Sequence, residues 1–248
     1  YDLYANVRPA KTWKGAQSKF EDIDIVVVRE NTEGLYLGLE HYLTRHKDVA
    51  ESLAVITKEG SERIVEYAFK YAKENGRKKI TACHKANILK YTSGLFLDTA
   101  REVAARYPEI EFDEMIIDAT CMHMVMNPHQ FDVVVTTNMF GDILSDLTAG
   151  LVGGLGLIPG ANIGEDASLF EAVHGSAPDI AGKNIANPTA VIMAGVMMLN
   201  HLGETEAASR IKAAVEQVVE AGEMVTPDLN PESKAGTIEM AEAIIAAL

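Results

Sequence analysis

Short apolar runs that alternate with helix-like segments constrain the fold of this chain more than any other feature. Four runs, at residues 24–29, 79–84, 114–119 and 132–138, have the length and the valine and isoleucine content of buried strands. Between them, residues 61–75 and 95–106 carry apolar side chains at helical spacing. Strands that alternate with helices of this length predict an α/β protein.

The chain changes character after Gly150. The segment LVGGLGLIPGANIG is rich in glycine and nearly uncharged, and three helical patterns follow it at residues 189–201, 204–221 and 237–248. The first is apolar almost all round, which suits a helix in a core or at a subunit contact, and the second is amphipathic, which suits the surface. We therefore predict two lobes, 1–150 and 151–248.

Residues 33–59 fit neither lobe well. Apolar and polar residues alternate there, which predicts a hairpin-like excursion from the first lobe. Such an arm serves to pair subunits in some proteins, and a plain surface hairpin is an equally good interpretation.

The charge balance excludes some classes of partner. With 36 acidic and 22 basic residues among 248, the net charge is −14, which argues against a nucleic acid or an anionic membrane as partner. No apolar run is long enough to cross a bilayer.

Cys83 and Cys121 lie in apolar, strand-like segments, so we expect buried free thiols in a reducing compartment. The first residue is Tyr1, and the segment after it resembles neither a signal peptide nor a transit peptide.

The stretch VVVTTNMFGDILSD places two carboxylates, Asp142 and Asp146, four residues apart just after a predicted strand. A helix beginning there would put both on one face, where like charges repel. Solvent and the helix dipole are one compensation, and a divalent cation is another. Asp118 follows another apolar run. Oxygen ligands of this kind suit Mg²⁺ or Mn²⁺ and not zinc.

Several cations and one phenol lie at candidate strand ends. Arg8 and Arg29 would suit the carboxylates of a polyacid, and an interdomain salt bridge is the alternative. Lys85 follows the strand ITAC, where burial can lower the proton affinity of an amine and make it a base, although most such lysines are solvated. Tyr36, taken alone, suits a packed tyrosine.

The segment HGSAPDIAGKNIANPTA, residues 174–190, is made largely of small residues and leads into a predicted helix. Backbone amides in such a loop can hold a phosphate or an adenine edge. Neither a GxGxxG fingerprint after a strand nor a GxxxxGK[ST] loop is present. A dinucleotide bound here would not use the familiar glycine pattern.

These motifs occur together in one known family. The segments LYANVRP, VVVRENTEGLY, HKANILK, MIIDA, NMFGDILSDLTAGLVGGLG and HGSAPDIAGKNIANP resemble those of the metal-dependent β-decarboxylating dehydrogenases, which act on isocitrate, homoisocitrate or 3-isopropylmalate. The resemblance implies a two-lobed fold with a central mixed sheet that is not a Rossmann fold. It also implies that residues 151–248 are the C-terminal part of a large, cofactor-binding lobe, and that a further N-terminal segment carries the side chains that select the substrate.

The resemblance implies roles for individual residues. Arg8 and Arg29 would hold substrate carboxylates, Tyr36 would protonate the enol left after decarboxylation, and Lys85 would assist removal of the hydroxyl proton. Metal ligands would be Asp142 and Asp146, with Asp118 and also Lys85 supplied by the neighbouring protomer of a homodimer. Residues expected to bind the cofactor are Asn87, His174, Gly175, Ser176, Ala177, Asp179, Ile180 and Asn187.

The cofactor and substrate expected from the resemblance are NAD and a hydroxy-tricarboxylate. Asp179 and Ile180 stand where NAD-using members carry the same two residues, and a carboxylate there repels the 2′-phosphate of NADP. RENTEGLY is closer to the isocitrate and homoisocitrate branches than to the isopropylmalate branch, so isocitrate is the first expectation. A regulatory subunit of a heteromeric dehydrogenase is the non-catalytic alternative. The expected location is the cytoplasm, or the mitochondrial matrix in a eukaryote.

Overall fold

The computed structural model describes all residues from Tyr1 to Leu248 and is an α/β protein. Its nine strands are β1 (Ala5–Lys11), β2 (Asp24–Glu30), β3 (Glu40–Tyr42), β4 (Ala50–Ser52), β5 (Lys79–His84), β6 (Glu111–Ile116), β7 (Val133–Thr136), β8 (Pro159–Ile163) and β9 (Ser168–Ala172). Its seven helices are α1 (Lys58–Glu74), α2 (Thr92–Ala104), α3 (Ile117–Met126), α4 (Asn138–Val152), α5 (Thr189–His201), α6 (Thr205–Ala221) and α7 (Thr237–Ala246). The predicted α/β class with a central mixed sheet is confirmed. None of the helices combines the length and the apolar character needed to cross a membrane.

Seven strands form one sheet in the order β6-β5-β7-β2-β1-β8-β9. Strand β5 pairs in parallel with β6 and with β7, and β7 pairs in parallel with β2. All four residues of β7, which has β5 and β2 on either side, are buried. The carboxyl ends of β6, β5, β7 and β2 therefore meet at one edge of the sheet, the position where open α/β sheets bind ligands.

The chain forms two compact units, residues 1–7, 25–145 and 162–168 in the first and residues 8–24, 146–161 and 169–248 in the second. In the first unit, α1 buries the predicted stripe that includes Ile64, Val65 and Phe69. The helix begins at Lys58, before the predicted start at Ser61, because the Thr57 side chain accepts a hydrogen bond from the Gly60 amide at 2.9 Å. The predicted division into lobes at Gly150 stays a prediction.

The second unit has a core of its own, formed largely by α5, α6 and α7. Helix α6 buries one face only, so the predicted amphipathic surface helix is confirmed. Helix α5 is only partly buried within the chain, since Val191 and Met198 are exposed. The core consists of Leu157, Met193, Val196, Ala208, Ala214, Val215, Val218, Val219, Val225, Leu229, Met240 and Ile244.

The predicted strand at residues 114–119 is wrong in its second half. Strand β6 ends at Ile116 and α3 begins at the next residue, with the Thr120 hydroxyl donating to the Ile116 carbonyl at 3.1 Å. Short apolar runs do not distinguish a strand from a buried helical segment, which explains the error. Cys121 accordingly lies on a helix and is only partly buried, whereas Cys83 is buried as predicted.

The predicted excursion contains a two-stranded antiparallel hairpin, β3 with β4, in which Glu40 pairs with Ser52. All six strand residues are exposed. The exposed residues of the hairpin and its flanks include large apolar side chains, among them Leu39, Tyr42 and Leu53. The role of this arm in pairing subunits stays a prediction.

Candidate active site

Charged side chains lie at or just beyond the carboxyl ends of all four neighbouring parallel strands. Arg29 lies near the end of β2, Lys85 directly follows β5, Asp118 comes two residues after β6, and Asp142 lies on α4 just after β7. Parallel strands bring their carboxyl ends to one edge, so residues far apart in sequence are collected there. This edge is the candidate active site.

Arg29 is the centre of a hydrogen-bonded cluster at this edge. Its guanidinium is buried, and Nε and Nη2 donate to Asn138 Oδ1 at 3.0 and 2.7 Å. Nη1 donates to Asp142 Oδ1 in an ion pair. A methyl group on Gly141 would come within 2.5 Å of Arg29 Cγ. Only glycine at position 141 therefore lets α4 pass close enough to Arg29 for these bonds to form.

Tyr36 completes this cluster from the turn Leu35–Leu37. Its ring lies over the Arg29 guanidinium, 4.9 Å from carbon to ring centroid, and its hydroxyl donates to Asp142 Oδ2 at 2.7 Å. The hydrogen bond to Asp142 raises the pKa of Tyr36, and burial adds to this, while Arg29 opposes it. The phenol therefore stays protonated near neutral pH and is a proton donor.

Lys85 and Asp118 form a second, separate pair. Lys85 Nζ donates to Asp118 Oδ1, and this hydrogen bond is the main reason why the pKa of Asp118 is lowered. The Asp118 side chain is 70% exposed, against 25% for Lys85. Within one chain, Asp118 therefore binds Lys85 and does not join Asp142 in a cluster. No group of three acidic, histidine or cysteine side chains in the chain is arranged to hold a metal ion.

The like charges of Asp142 and Asp146 are each matched by an arginine. Asp142 pairs with Arg29 in the first unit, and Asp146 pairs with Arg8 at 3.9 Å in the second. Each ion pair therefore lies within its own unit. These two pairs are thus not the interdomain salt bridge that was the alternative interpretation of the arginines' sequence positions. Helix α4 contains both carboxylates, as predicted, so they share one helix face.

The two aspartates fit a hard divalent cation as an incomplete set of ligands. Both are oxygen donors on one helix face, and their side chains are 43% and 63% exposed. Asp142 also accepts hydrogen bonds from Arg29 and Tyr36. Mg²⁺ commonly binds through one or two carboxylates and takes its other ligands from water and substrate. The donor set therefore fits, provided that further ligands come from outside this chain.

The predicted cofactor loop is exposed from His174 to Ala186, except at the half-buried Ile180. Ala177 has a left-handed backbone, with φ of 43°, and begins the turn Pro178–Ile180 that presents Asp179 to solvent. The end of the loop is anchored, because the Asn184 side chain donates to Glu239 and accepts from the Ile238 amide. Exposed backbone of this kind suits a ligand edge.

The remaining predicted cofactor residues lie in two places. Asn187 Oδ1 accepts from the Thr189 amide at 2.9 Å, and Nδ2 donates to Asp228 Oδ2 at 3.0 Å. The Asn187 side chain is therefore occupied within the protein. Asn87 is exposed in the turn after β5, in the first unit. The loop residues His174, Gly175, Ser176, Ala177, Asp179 and Ile180 are neighbours in sequence and in space.

Three further residues, which the sequence pattern does not single out, organise the site. Asn138 orients Arg29, and its own Nδ2 donates to the Glu33 carbonyl at 3.3 Å. The Glu33 carboxylate is buried and accepts from the Thr57 amide and hydroxyl. His84 supports the turn at Lys85. Each is a polar residue within four positions of a predicted site residue, and that proximity is the only signal in the sequence.

The fold and the site define a class of protein: α/β proteins that bind small polar ligands beyond the carboxyl ends of parallel strands. The chain belongs to the isocitrate/isopropylmalate dehydrogenase family, whose model matches residues 1–244. Members of this family use NAD and a divalent metal ion.

Relatives with different activities are similarly close. A 3-isopropylmalate dehydrogenase of Archaeoglobus fulgidus is 56% identical over 245 residues, which are 99% of this chain and 73% of the relative. Catalytic subunit 5 of the mitochondrial NAD isocitrate dehydrogenase of Arabidopsis thaliana is 54% identical over 98% of this chain and 64% of its own length. A regulatory subunit of the mitochondrial NAD isocitrate dehydrogenase of Dictyostelium discoideum is 53% identical over 94% of this chain and 66% of its own length.

A solved structure, isocitrate dehydrogenase from Methylococcus capsulatus, superposes with a TM-score of 0.97 at 63% identity. It covers 99% of this chain, and the chain covers 73% of it. The chain thus spans about two thirds to three quarters of these relatives.

Proposed function

We propose that the protein containing this chain catalyses the oxidative decarboxylation of isocitrate to 2-oxoglutarate and CO₂, with NAD as hydride acceptor and Mg²⁺ or Mn²⁺ as the metal. The cluster of Arg29, Tyr36 and Asp142 carries this proposal, because it joins a cation, a protonated phenol and a carboxylate at the ligand-binding edge of the sheet. The 63% identity to a solved isocitrate dehydrogenase supports isocitrate as the substrate.

Binding of the substrate carboxylates falls to Arg8 and Arg29. Arg29 commits one N–H each of Nε, Nη1 and Nη2 to Asn138 and Asp142, out of the five that a guanidinium carries. A guanidinium held by several hydrogen bonds within the protein is rigid, and rigid arginine forks bind carboxylates well. Arg29 would therefore orient the substrate as well as bind it.

Two proton transfers fall to Lys85 and Tyr36. Lys85 would assist removal of the proton from the substrate hydroxyl, directly or through water. Hydride would leave the carbon that bears this hydroxyl for the nicotinamide. After CO₂ departs, Tyr36 would return a proton to the carbon that lost the carboxylate. Its raised pKa keeps that proton in place until it is needed.

The two groups supplied from outside the chain have separate tasks. A divalent cation held by Asp142 and Asp146 would stabilise the negative charge that develops as CO₂ leaves. NAD would accept the hydride, with its adenosine half at the loop from His174 to Asn187. Asp179 is exposed and has no ion-pair partner in the chain, so its carboxylate is available to the ribose hydroxyls.

We also propose a homodimer with shared active sites, or a higher oligomer built from such dimers. Lys85 and Asp118 would then act in the site of the neighbouring protomer, and the exposure of Asp118 is consistent with that role. The arm of residues 33–59, which is largely exposed, would contribute to the contact. The acidic net charge does not favour a nucleic acid or a membrane as partner. We place the protein in the cytoplasm, or in the mitochondrial matrix of a eukaryote.

A second candidate is 3-isopropylmalate dehydrogenase, favoured by the 56% identity to the enzyme of that name in A. fulgidus. Homoisocitrate is a further candidate substrate, since the segment RENTEGLY suits both tricarboxylates. A regulatory subunit is the non-catalytic candidate, favoured by the relative from D. discoideum. Presence of Tyr36, Lys85 and all three aspartates argues for a catalytic chain instead.

The deciding experiment measures reduction of NAD by the full-length protein with Mn²⁺ and, in turn, isocitrate, homoisocitrate and 3-isopropylmalate. Turnover of isocitrate alone supports the proposal, and turnover of 3-isopropylmalate alone replaces it with the second candidate. No reduction with any acid, alone or after addition of a separately expressed catalytic subunit, would overturn a dehydrogenase role.

The shared site has a test of its own. Lys85→Ala and Asp142→Asn proteins should each be inactive, and a mixture refolded together should regain activity. Hybrid dimers contain one complete site only if these residues act across subunits. A mixture as inactive as its components would contradict the shared site.

A further inference from the structure

The main chain at Lys85 is held by three hydrogen bonds, and one of them is made by the preceding side chain. His84 Nδ1 accepts from the Ala86 amide at 3.0 Å. The side chain that precedes Lys85 is thus bonded to the peptide group that follows it. The Lys85 carbonyl accepts from the amides of Ile88 and Leu89 at 3.0 and 2.8 Å. A closed turn therefore surrounds Lys85.

His84 is well placed to fix this turn. It is the last residue of β5, it is buried, and it pairs with Ile116 at the end of β6. Lys85 and Asp118 consequently leave adjacent strands at nearly the same level. The strand pairing fixes the backbone of His84, and the hydrogen bond from the Ala86 amide orients its ring.

The hydrogen bond requires a neutral imidazole with its proton on Nε2. An imidazolium has two donors and no acceptor, so it cannot accept from the Ala86 amide. Burial lowers the pKa of His84, Arg101 lowers it further, and Glu114 opposes them. Each of these charged neighbours lies beside β5, on α2 and β6 respectively. The neutral form that the turn needs is therefore the form that its surroundings favour.

We infer that His84 is a positioning residue, whose Nδ1 holds the Ala86 amide and thereby aims the side chain of Lys85 at the proton it removes. The inference rests on the proposed function for the role of Lys85. Without the bond to Ala86, the peptide after Lys85 can rotate, and the amine at the end of a long side chain moves with it. A displacement of about 1 Å in a catalytic group can cost about a hundredfold in rate.

Two substitutions separate the acceptor from the bulk of the ring. His84→Asn keeps an acceptor, because asparagine Oδ1 occupies nearly the position of histidine Nδ1. His84→Leu keeps an apolar side chain of similar size and removes the acceptor. His129→Leu is the matched control, since His129 is exposed and precedes the opposite end of β7. Each variant of the full-length protein is assayed by amide hydrogen exchange at Ala86 and by steady-state kinetics.

His84→Leu should expose the Ala86 amide to exchange and lower kcat about tenfold to a hundredfold, with little change in KM for the acid. His84→Asn should keep both protection and most of kcat, as should the control. Retained kcat in His84→Leu would overturn the inference. So would equal losses in the Leu and Asn variants, because the acceptor would then not be the feature that matters.

The experiment also separates this inference from the proposed function. If the wild-type protein reduces NAD with none of the acids, the proposed function fails, but Ala86 exchange and the rate of acetylation of Lys85 can still be compared. A change in the acetylation rate in His84→Leu and its recovery in His84→Asn would then support the positioning of Lys85. An unchanged rate would overturn it.

Discussion

The hydroxyl of Tyr36 donates to the carboxylate of Asp142 across 2.7 Å, although 106 residues separate them in the chain. Arg29 contacts both, its guanidinium lying under the Tyr36 ring and bonded to the second oxygen of Asp142. The three side chains therefore form one unit, in which a change in any one alters the other two.

Tyr36→Phe should remove the proton donor and leave the ring over Arg29. We expect kcat for NAD reduction to fall about 10²- to 10⁴-fold, the usual contribution of general acid–base catalysis. Tyr91→Phe is the control, because Tyr91 is almost fully exposed. Activity within about twofold of wild type would show that Tyr36 is not the acid.

Gly141→Ala should damage the cluster without touching its charges. The added methyl group would lie 2.6 Å from Arg29 Cβ, so helix and strand must move apart, at a cost of about 1–3 kcal/mol in the free energy of unfolding. Gly150→Ala, on the same helix with open space around it, should instead stabilise the protein by up to about 1 kcal/mol. Equal effects of the two substitutions in urea denaturation would contradict the close approach.

Cation binding should be visible without catalysis. Mn²⁺ at about a hundredfold above its Kd should stabilise the folded full-length protein by about 2.7 kcal/mol, observed as a rise in Tm. Asp142→Asn should abolish most of that rise, whereas Asp166→Asn, an exposed position elsewhere, should not. A rise in Tm that survives in Asp142→Asn would place the cation elsewhere.

Glu33→Gln should change stability in a pH-dependent way. Burial raises the pKa of Glu33 in the folded state, while hydrogen bonds from Thr57 oppose the shift. A carboxyl group whose pKa is higher in the folded than in the unfolded protein stabilises the fold in its protonated form. Its contribution to the free energy of unfolding is full below the unfolded pKa and is lost as pH rises through the folded pKa. The Tm of Glu33→Gln relative to wild type should therefore increase as pH rises from about 4, near the unfolded pKa of a glutamate, through the higher pKa of the folded state.

The control for that series is Glu220→Gln, which removes the same charge from an exposed position on α6. Thermal melts of both variants are compared at each pH. A difference between Glu33→Gln and wild type that declines with pH would show that Glu33 is stabilised in its ionised form.

Cofactor preference should follow the charge at Asp179. Asp179→Lys combined with Ile180→Tyr should raise kcat/KM for NADP relative to NAD, because a cation replaces the carboxylate that repels a 2′-phosphate. Glu220→Lys introduces the same charge change away from the loop and serves as control. An unchanged preference in the double variant would remove the loop from 2′-phosphate discrimination.

The sequence predicts the bounds of helices and strands correctly where the hydrophobic periodicity is strong. The predicted helix at residues 189–201 matches α5 at both ends, and the predicted strand at 24–29 matches β2 within one residue. The secondary structure of residues 114–126 could not be predicted in this way, because an apolar segment that is half strand and half helix has no single period. The spacing of Asp142 and Asp146 was enough to place both on one helix face, since that relationship is local.

The sequence by itself determined the residue types of the site, the α/β class and the resemblance to a dehydrogenase family. Only the tertiary structure decided that Arg29 binds Asn138 and Asp142, that Lys85 binds Asp118, and that Gly141 makes the first contact possible. The physical reason is distance along the chain. Periodicity reports on neighbours within a few residues, whereas Arg29 and Asp142 are 113 residues apart and meet only because parallel strands end at one edge.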